Sequence, residues 1–204
     1  MSAYVTHASS VEWLSQAFCS VIMDTDRCMR GSMFATGNVR DALIVLANHA
    51  VSIHSVAWLA TVVCKVVIAV PSSTTLPSLF CTVTFRDALI GMCTYARSPE
   101  SAEHLLRAMC LLSHGNNPTV KVCFGTTLVR DALVAMSPFA TTSASVMWMA
   151  MIISNVMTGA NTSVRACFGT PLVKDALVAM QRYATTVAAV EAVSRTVSLL
   201  GVNA

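Results

Sequence analysis

The sequence predicts an all-α fold built from stacked helical repeats. A segment of 14 residues that begins at Cys123 returns 44 residues later at Cys167, and only Thr127/Pro171 and Arg130/Lys174 differ between the two copies. Weaker copies lie upstream, and the phenylalanines that mark the four copies are 46, 44 and 44 residues apart: Phe34, Phe80, Phe124 and Phe168. A period in the forties is typical of arrays of stacked helices.

The composition is unusually apolar. Of the 204 residues, 55% are hydrophobic and 11% are charged, with a mean hydropathy of +0.65, which excludes a disordered chain. The longest apolar runs, 56–70 and 146–157, are too short or too interrupted for the roughly 18–20 residues that cross a bilayer. Both runs fall at the same place in the repeat, so we expect buried helices; a membrane-associated helical protein is the alternative.

Charge and cysteine content narrow the function classes further. The net charge of +3 comes from scattered Lys and Arg, which is a weak footprint for nucleic acid. The eight cysteines show no CxxC or finger-like spacing, and the N-terminus lacks a secretory pattern. We therefore expect reduced thiols in an intracellular, cytoplasmic protein without a metal or cofactor.

The array opens on an incomplete unit. The pattern Ser-Val-x-Trp at 10–13 matches 55–58 and 145–148, where it lies in the second half of the unit. We therefore predict one array over 1–204 of about four and a half units: a half repeat at 1–27, then repeats at about 32–70, 78–115, 122–159 and 166–204.

Each full unit has a clear first helix. A threonine stands where an N-cap hydroxyl is expected in all four copies: Thr36, Thr82, Thr126 and Thr170. In the third unit, apolar residues then follow at helical spacing, from Val129 through Leu133 and Met136 to Ala140. This spacing predicts a helix with one buried face.

The second helix begins at a further cap and is apolar over more of its circumference. Ser98-Pro99-Glu100 combines a hydroxyl cap, a proline at the first helical position and an acid near the positive end of the helix dipole. Its counterparts are Ser52, Thr142 and Thr186, and glycines follow where helices end, at Gly115 and Gly159. The last helix, 188–200, is more polar, as a capping unit requires, and 70–77 is expected to be an exposed loop or hinge.

Several of these segments resemble armadillo repeats, and the related HEAT class shares their period. The resemblance lies in Gly-Thr-Pro-Leu-Val at 169–173, the Ala-Leu-Val core, and Asn155 to Gly159 at the end of a long helix. It implies a right-handed α-solenoid in which the last helix of each repeat lines a concave groove that binds extended peptides. The column equivalent to Asn155 reads Lys65, Leu111, Asn155, Leu199, so the asparagine ladder of importin-type members is absent and recognition of a basic import signal is not expected.

The tryptophans suggest what lines such a groove. Trp13, Trp58 and Trp148 share one column, with His104 and Ala192 in the other units, and they flank the apolar stripe of the second helix. Tryptophan is common among interface hot spots, but an aromatic residue at helical spacing is more often part of the core. If the groove exists, the sequence predicts this partner-binding lining: Trp58, Lys65, His104, Trp148 and Asn155.

A charged pair recurs in every full unit and holds about a third of all charges. We interpret it as a structural ladder in which the cation of one unit meets the Asp of the next, and the alternative is a charged binding ridge. The pairs are Arg40-Asp41, Arg86-Asp87, Arg130-Asp131 and Lys174-Asp175.

No catalytic motif accompanies the repeat. The sequence contains no P-loop, GxGxxG, GxSxG or HExxH, and the five histidines occupy unrelated columns. The sequence therefore favours a non-catalytic scaffold that binds a protein or peptide. A membrane-associated protein and a fragment of a longer array are the alternatives, and self-association through the N-terminal half repeat is a further expectation.

Overall fold

The computed structural model describes residues 7–24, 33–69, 79–115 and 117–201, and within these ranges the chain is all-α. Eleven α-helices and two short 3₁₀ turns, Ser137–Phe139 and Gln181–Tyr183, make up the described part, which contains no strand. The helices are α1 (Ala8–Asp24), α2 (Gly37–Asn48), α3 (Ile53–Ala69), α4 (Val83–Cys93), α5 (Pro99–Ser113), α6 (Pro118–Phe124), α7 (Thr127–Met136), α8 (Ser143–Met157), α9 (Thr162–Phe168), α10 (Pro171–Met180) and α11 (Val187–Gly201).

The helices pack in two sets. Each long helix contacts the next long helix along the chain, in the order α1, α3, α5, α8, α11. The first helices of the units do the same in the order α2, α4, α7, α10. One continuous hydrophobic core includes residues of both sets, and the phenylalanines that mark the repeat, Phe34, Phe80, Phe124 and Phe168, are all buried in it.

The threonine caps of the first helices are confirmed. In α2, α4, α7 and α10 the hydroxyl accepts a hydrogen bond from the backbone N–H three residues later, as from Val129 to Thr126. One of the unpaired donors at each helix start is thereby satisfied. The caps fix where the first helix of each unit begins.

The long helices begin with a reciprocal cap that involves a second hydroxyl. Ser98 accepts from the N–H of Ser101, and the Ser101 hydroxyl accepts from the N–H of Ser98. Thr142 with Ser145 repeats the arrangement, as does Ser52 with Ser55. The third-position serines are fully buried, so the caps also fill space between the helices.

Two short helices, α6 and α9, were not predicted. Each precedes the first helix of its unit, and the expected unit starts at 122 and 166 fall inside them. They end at Gly125 and Gly169, where the chain turns tightly: a Cβ at Gly125 would lie 2.4 Å from the Lys121 carbonyl oxygen. These glycines of the repeated motif are therefore needed for close approach, although their φ angles are ordinary.

The expected helix-terminal glycines are confirmed. Gly115 and Gly159 follow α5 and α8 with φ of 101° and 66°, in the left-handed region that side chains other than glycine rarely adopt. The buried Lys121 of α6 donates to the carbonyl oxygen of Thr158 just beyond α8. A cation is stabilised there by the negative end of the helix dipole. The expected loop or hinge at 70–77 lies outside the described residues.

Helix length bears on the membrane alternative. Within the described ranges, no single helix is both long and apolar enough to cross a membrane. The pair formed by Pro118–Phe124 and Thr127–Phe139 reaches the required length and composition together, but it is bent by 63°. The apolar runs seen in the sequence lie in α3 and α8, whose apolar side chains are mostly buried against neighbouring helices.

Candidate functional site

The long helices share one partly exposed face. On α3 it comprises His54, Trp58, Thr61, Lys65 and Ile68, at spacings of four and three residues that keep them on one side of a helix. The equivalent positions are Glu100, His104, Arg107 and Leu111 on α5 with His114 just after it, and Ala144, Trp148, Met151 and Asn155 on α8 with Thr158 just after it. We call these fifteen residues the long-helix face, and all five residues predicted to line a groove belong to it.

Contacts between successive helices make this face continuous. The Thr61 hydroxyl of α3 lies 3.3 Å from Nδ1 of His104 on α5. One step along, the Arg107 guanidinium of α5 lies 5.9 Å from the centre of the Trp148 ring on α8. Thr61 and Arg107 each lie three residues after the tryptophan column of their own helix, and each contacts the residue of that column on the next long helix. Each unit therefore supports the aromatic side chain of the following unit.

The predicted residues differ in how much of each is accessible. Trp58 is 38% exposed, whereas Trp148 packs against the core and beneath Arg107. Asn155 is half-buried and donates from Nδ2 to the Ser113 hydroxyl of the preceding long helix at 3.5 Å. Trp148 is therefore anchored and partly accessible, as aromatic hot spots are, and Trp58 is the more exposed of the two.

The centre of the long-helix face is basic. Lys65 and Arg107 are its cations, and Glu100, at the start of α5, is its acid. Glu103, next to His104 on α5, accepts a hydrogen bond from the Thr142 hydroxyl that caps α8. Glu12 accepts in the same way from Ser52, which caps α3. Two acids thus stabilise helix starts, leaving the face aromatic and positively charged at its centre.

The charged pairs are arranged differently from the predicted ladder. Each ion pair joins adjacent residues: Nη2 of Arg40, Arg86 and Arg130 lies 2.7 Å from the carboxylate of Asp41, Asp87 and Asp131 respectively. The expected pairing of one unit's Arg with the next unit's Asp is therefore wrong for these three. Lys174 and Asp175 form no ion pair with each other among the described residues, and a lysine lacks the two parallel donors with which the three arginines hold their aspartates.

The link between units runs instead from arginine to a backbone carbonyl. Nη1 of Arg86 donates to Cys123 at 3.1 Å, and Nη1 of Arg130 donates to Cys167 at 3.3 Å. Those carbonyls lie at the ends of α6 and α9, where the last carbonyls of a helix lack internal partners. Each arginine thus caps the short helix of the following unit, and Arg40 reaches the Leu79 carbonyl oxygen in the same manner at 3.5 Å.

The thiols are protected by burial. All seven described cysteines are free, and burial raises the pKa of Cys64, Cys81, Cys93 and Cys110 to about 12. Since the thiolate is the nucleophile, these side chains are poor nucleophiles at neutral pH. No group of three or more His, Cys, Asp or Glu suited to a metal ion occurs among the residues described.

A groove on the other set of helices was not predicted from the sequence. A depression of about 530 Å³ lies between α2 and α4, and an adjoining one of about 480 Å³ lies between the turns that follow these two helices; both are lined by Val51, Thr94 and Tyr95. Gly91 lines the larger one and has no neighbouring atom within reach of an added Cβ. The sequence feature that could have indicated this groove is the pair of large apolar residues in turns between helices, Val51 and Tyr95, which are both exposed.

Comparison with known proteins gave no match to a family model, to a curated protein or to a solved structure.

Proposed function

We propose that this protein is a non-catalytic scaffold: an armadillo-like α-solenoid that binds a segment of a partner protein along the long-helix face, which is the concave side of the array. The observation that carries the proposal is the alignment of Trp58, His104 and Trp148 on three neighbouring long helices, α3, α5 and α8. Lys65 and Asn155 lie one heptad after Trp58 and Trp148 on the same face.

The chemistry of this face suits an extended polypeptide. Partly exposed tryptophans offer large contact area at low entropic cost, and they are enriched among residues that dominate binding energy. Lys65 and Arg107 would favour a segment that carries carboxylates, since complementary charge increases association rates and specificity. Asn155 can hydrogen-bond a peptide backbone, as amide side chains offer both donor and acceptor.

A selection experiment tests this function directly. A library of displayed random peptides is panned on the folded protein, and enriched sequences are then measured by fluorescence anisotropy. We expect acidic peptides with apolar residues, and we expect Trp58→Ala and Trp148→Ala each to weaken them by about tenfold or more. Enriched peptides whose affinity is unchanged by both substitutions would place binding elsewhere.

A matched control separates binding from folding. Leu172→Ala also removes a large apolar side chain that is about half exposed, but it lies on α10 in the other set of helices. It should leave peptide affinity unchanged. Asn155→Ala, on the same face as Trp148, should also weaken binding. Circular dichroism of all four variants must match the unsubstituted protein; if Trp148→Ala and Asn155→Ala instead unfold the chain, their assignment to a binding face is wrong.

Membrane association is the alternative function, favoured by the bent helix pair of 118–139. Several large side chains of that pair, including Phe124, Leu133 and Met136, are buried in the protein core, which argues against their contact with lipid. Fractionation decides between the two: a protein released from membranes only by detergent, and not by carbonate, would replace the scaffold proposal. A fragment of a longer array is the other alternative, and a transcript that continues upstream with further repeats would support it.

A further inference from the structure

The hydrogen bonds around Thr61 determine which nitrogen of the His104 ring carries the proton. The Thr61 hydroxyl has one proton, and it donates this proton to the Ala57 carbonyl oxygen of its own helix at 2.9 Å. The 3.3 Å contact between Thr61 and Nδ1 of His104 therefore uses a lone pair of the hydroxyl oxygen and a proton on Nδ1. Neutral His104 thus carries its single ring proton on Nδ1, and Nε2 is an acceptor.

The second ring nitrogen is available to a bound partner. His104 is half-buried on the long-helix face, and its Nε2 makes no hydrogen bond to any residue that the structure describes. Trp58 and Trp148 stand at the same position on the long helices to either side. A segment that contacts both tryptophans therefore passes over His104.

The charges beside His104 favour a carboxylate at this position. Lys65 lies one turn after Thr61 on α3, and Arg107 lies about one turn after His104 on α5. Two cations therefore lie on the same side of the ring, on neighbouring helices. The one acid of the long-helix face, Glu100, lies one turn before His104, on the opposite side.

The other ionisable groups on the helices packed against α5, which are α3, α4, α6 and α8, are engaged, distant or neutral. α8 has no charged residue, and Glu103 of α5 accepts from the hydroxyl that caps α8. Arg86 holds Asp87 on α4, and Lys121 of α6 donates to a backbone carbonyl. His54 lies two turns before Thr61 on α3. Burial raises the pKa of the thiols on these helices, so they stay uncharged at neutral pH: Cys64, Cys93, Cys110 and Cys123.

We propose that Nε2 of His104 binds a carboxylate of the partner segment and that the ring takes up one proton from solvent as the segment binds. Without that proton, Nε2 and the carboxylate are both acceptors and cannot form a hydrogen bond. With it, Nε2 donates a charge-assisted bond to the carboxylate while Nδ1 keeps its bond to Thr61. This inference rests on the proposed function of the long-helix face.

Proton uptake couples binding to pH. Histidine changes its charge between about pH 5 and 8, whereas the carboxylates of a partner stay ionised over that range. Binding should therefore tighten as the pH falls, because the protonated ring that the carboxylate selects becomes more populated.

The position of the ring proton can be measured in the free protein. Heteronuclear NMR of the histidine rings at about pH 8 distinguishes a proton on Nδ1 from one on Nε2, and the spectrum of His104→Gln identifies the His104 signals. We expect the proton on Nδ1, and we expect a larger share on Nε2 in Thr61→Val, which lacks the acceptor. A neutral ring protonated mainly on Nε2 in the unsubstituted chain overturns the proposal, whether or not a peptide binds.

Calorimetry with the tightest acidic peptide obtained by panning measures the coupled proton. The heat of binding in buffers of different ionisation enthalpy gives the number of protons taken up. We expect proton uptake that His104→Gln abolishes, and affinity about three- to tenfold higher at about pH 6 than at about pH 8. Thr61→Val should bind more tightly than the unsubstituted chain at the higher pH, since its neutral ring can donate from Nε2. His49→Gln, in a turn on the other set of helices, should retain the uptake.

The outcomes separate this inference from the function on which it rests. A peptide that requires Trp58 and Trp148 but carries no acid, binds without proton uptake, or takes up the proton equally in His104→Gln refutes the role of His104 and leaves the scaffold function standing. Enriched peptides that depend on neither tryptophan refute the proposed function, and the role of His104 fails with it.

Discussion

Arg86 and Cys123 are joined by a hydrogen bond from the guanidinium Nη1 to the carbonyl oxygen at 3.1 Å, across 37 residues of sequence. The same guanidinium holds Asp87 through Nε at 2.8 Å and Nη2 at 2.7 Å. One buried side chain therefore connects α4 to the last turn of α6 and keeps its charge neutralised by its own neighbour.

Replacement of Arg86 should weaken the boundary between two units. We expect Arg86→Met to lower the free energy of unfolding by about 1–3 kcal/mol, because a buried charge-assisted hydrogen bond and a helix cap are lost together. Arg86→Lys should recover only part of this, since an ammonium cannot hold the carboxylate and the carbonyl in the same fork geometry. Urea unfolding measures both.

Arg40→Met is the matched control, because its side chain is more exposed (26% against 10% for Arg86) and its bond to Leu79 is longer, at 3.5 Å. A loss at Arg40 as large as that at Arg86 would contradict the argument from burial.

Gly125→Ala should destabilise the protein by at least about 1–3 kcal/mol, the usual cost of overpacking. The added Cβ would lie 2.4 Å from the Lys121 carbonyl oxygen and 2.7 Å from a methyl group of Val164. Gly169→Ala meets only the Arg165 backbone, at 2.9 Å, and should cost less. In thermal unfolding, Val164→Ala should partly rescue Gly125→Ala; an equal cost at the two glycines would refute the role of Val164.

Gly91→Ala should have the opposite effect. Gly91 lies inside α4, and an added Cβ meets no atom within 4 Å. Alanine restricts the unfolded chain and favours the helix, so we expect a gain of about 0.5–1 kcal/mol in the free energy of unfolding. A destabilised Gly91→Ala protein in urea titration would show that the groove between α2 and α4 closes on this position.

The buried thiols should make stability depend on alkaline pH. Burial raises the pKa of Cys93 from an ordinary 9.0 to about 12, so the unfolded chain loses this proton at lower pH than the folded chain does. The stabilisation is complete below pH 9.0 and is lost as the pH rises towards about 12. Urea unfolding at several pH values should show a shallower alkaline decline for Cys93→Ala than for the unsubstituted protein. An identical slope would contradict the assignment.

Much of the fold follows from the sequence because its signals are local. The hydroxyls of Thr36, Thr82, Thr126 and Thr170 and the glycines after α5 and α8 act within a few residues of their positions, so spacing alone located them. The marker phenylalanines were recognisable because the core repeats with the chain. The columns of the long-helix face were likewise readable from helical spacing.

Other features carried no readable signal. The acceptor of Arg86 is a backbone carbonyl, which every residue possesses, so its partner could not be named from side chains. The short helices α6 and α9 have seven residues each, too few to show a helical period. The reciprocal caps use serine at the third position, where a glutamate or glutamine is the usual signature.

The arginine links all reach forward along the chain, from Arg40, Arg86 and Arg130 towards the following unit. Cooperativity between units therefore has a direction. Unfolding of the downstream unit leaves Arg86 on a folded unit without its carbonyl acceptor. Unfolding of the upstream unit instead releases the arginine to water and opens only the end of a helix. A cation without its acceptor costs more free energy than a hydrated carbonyl. Unfolding that starts at the downstream end of the array should therefore be resisted more strongly than unfolding that starts at the upstream end.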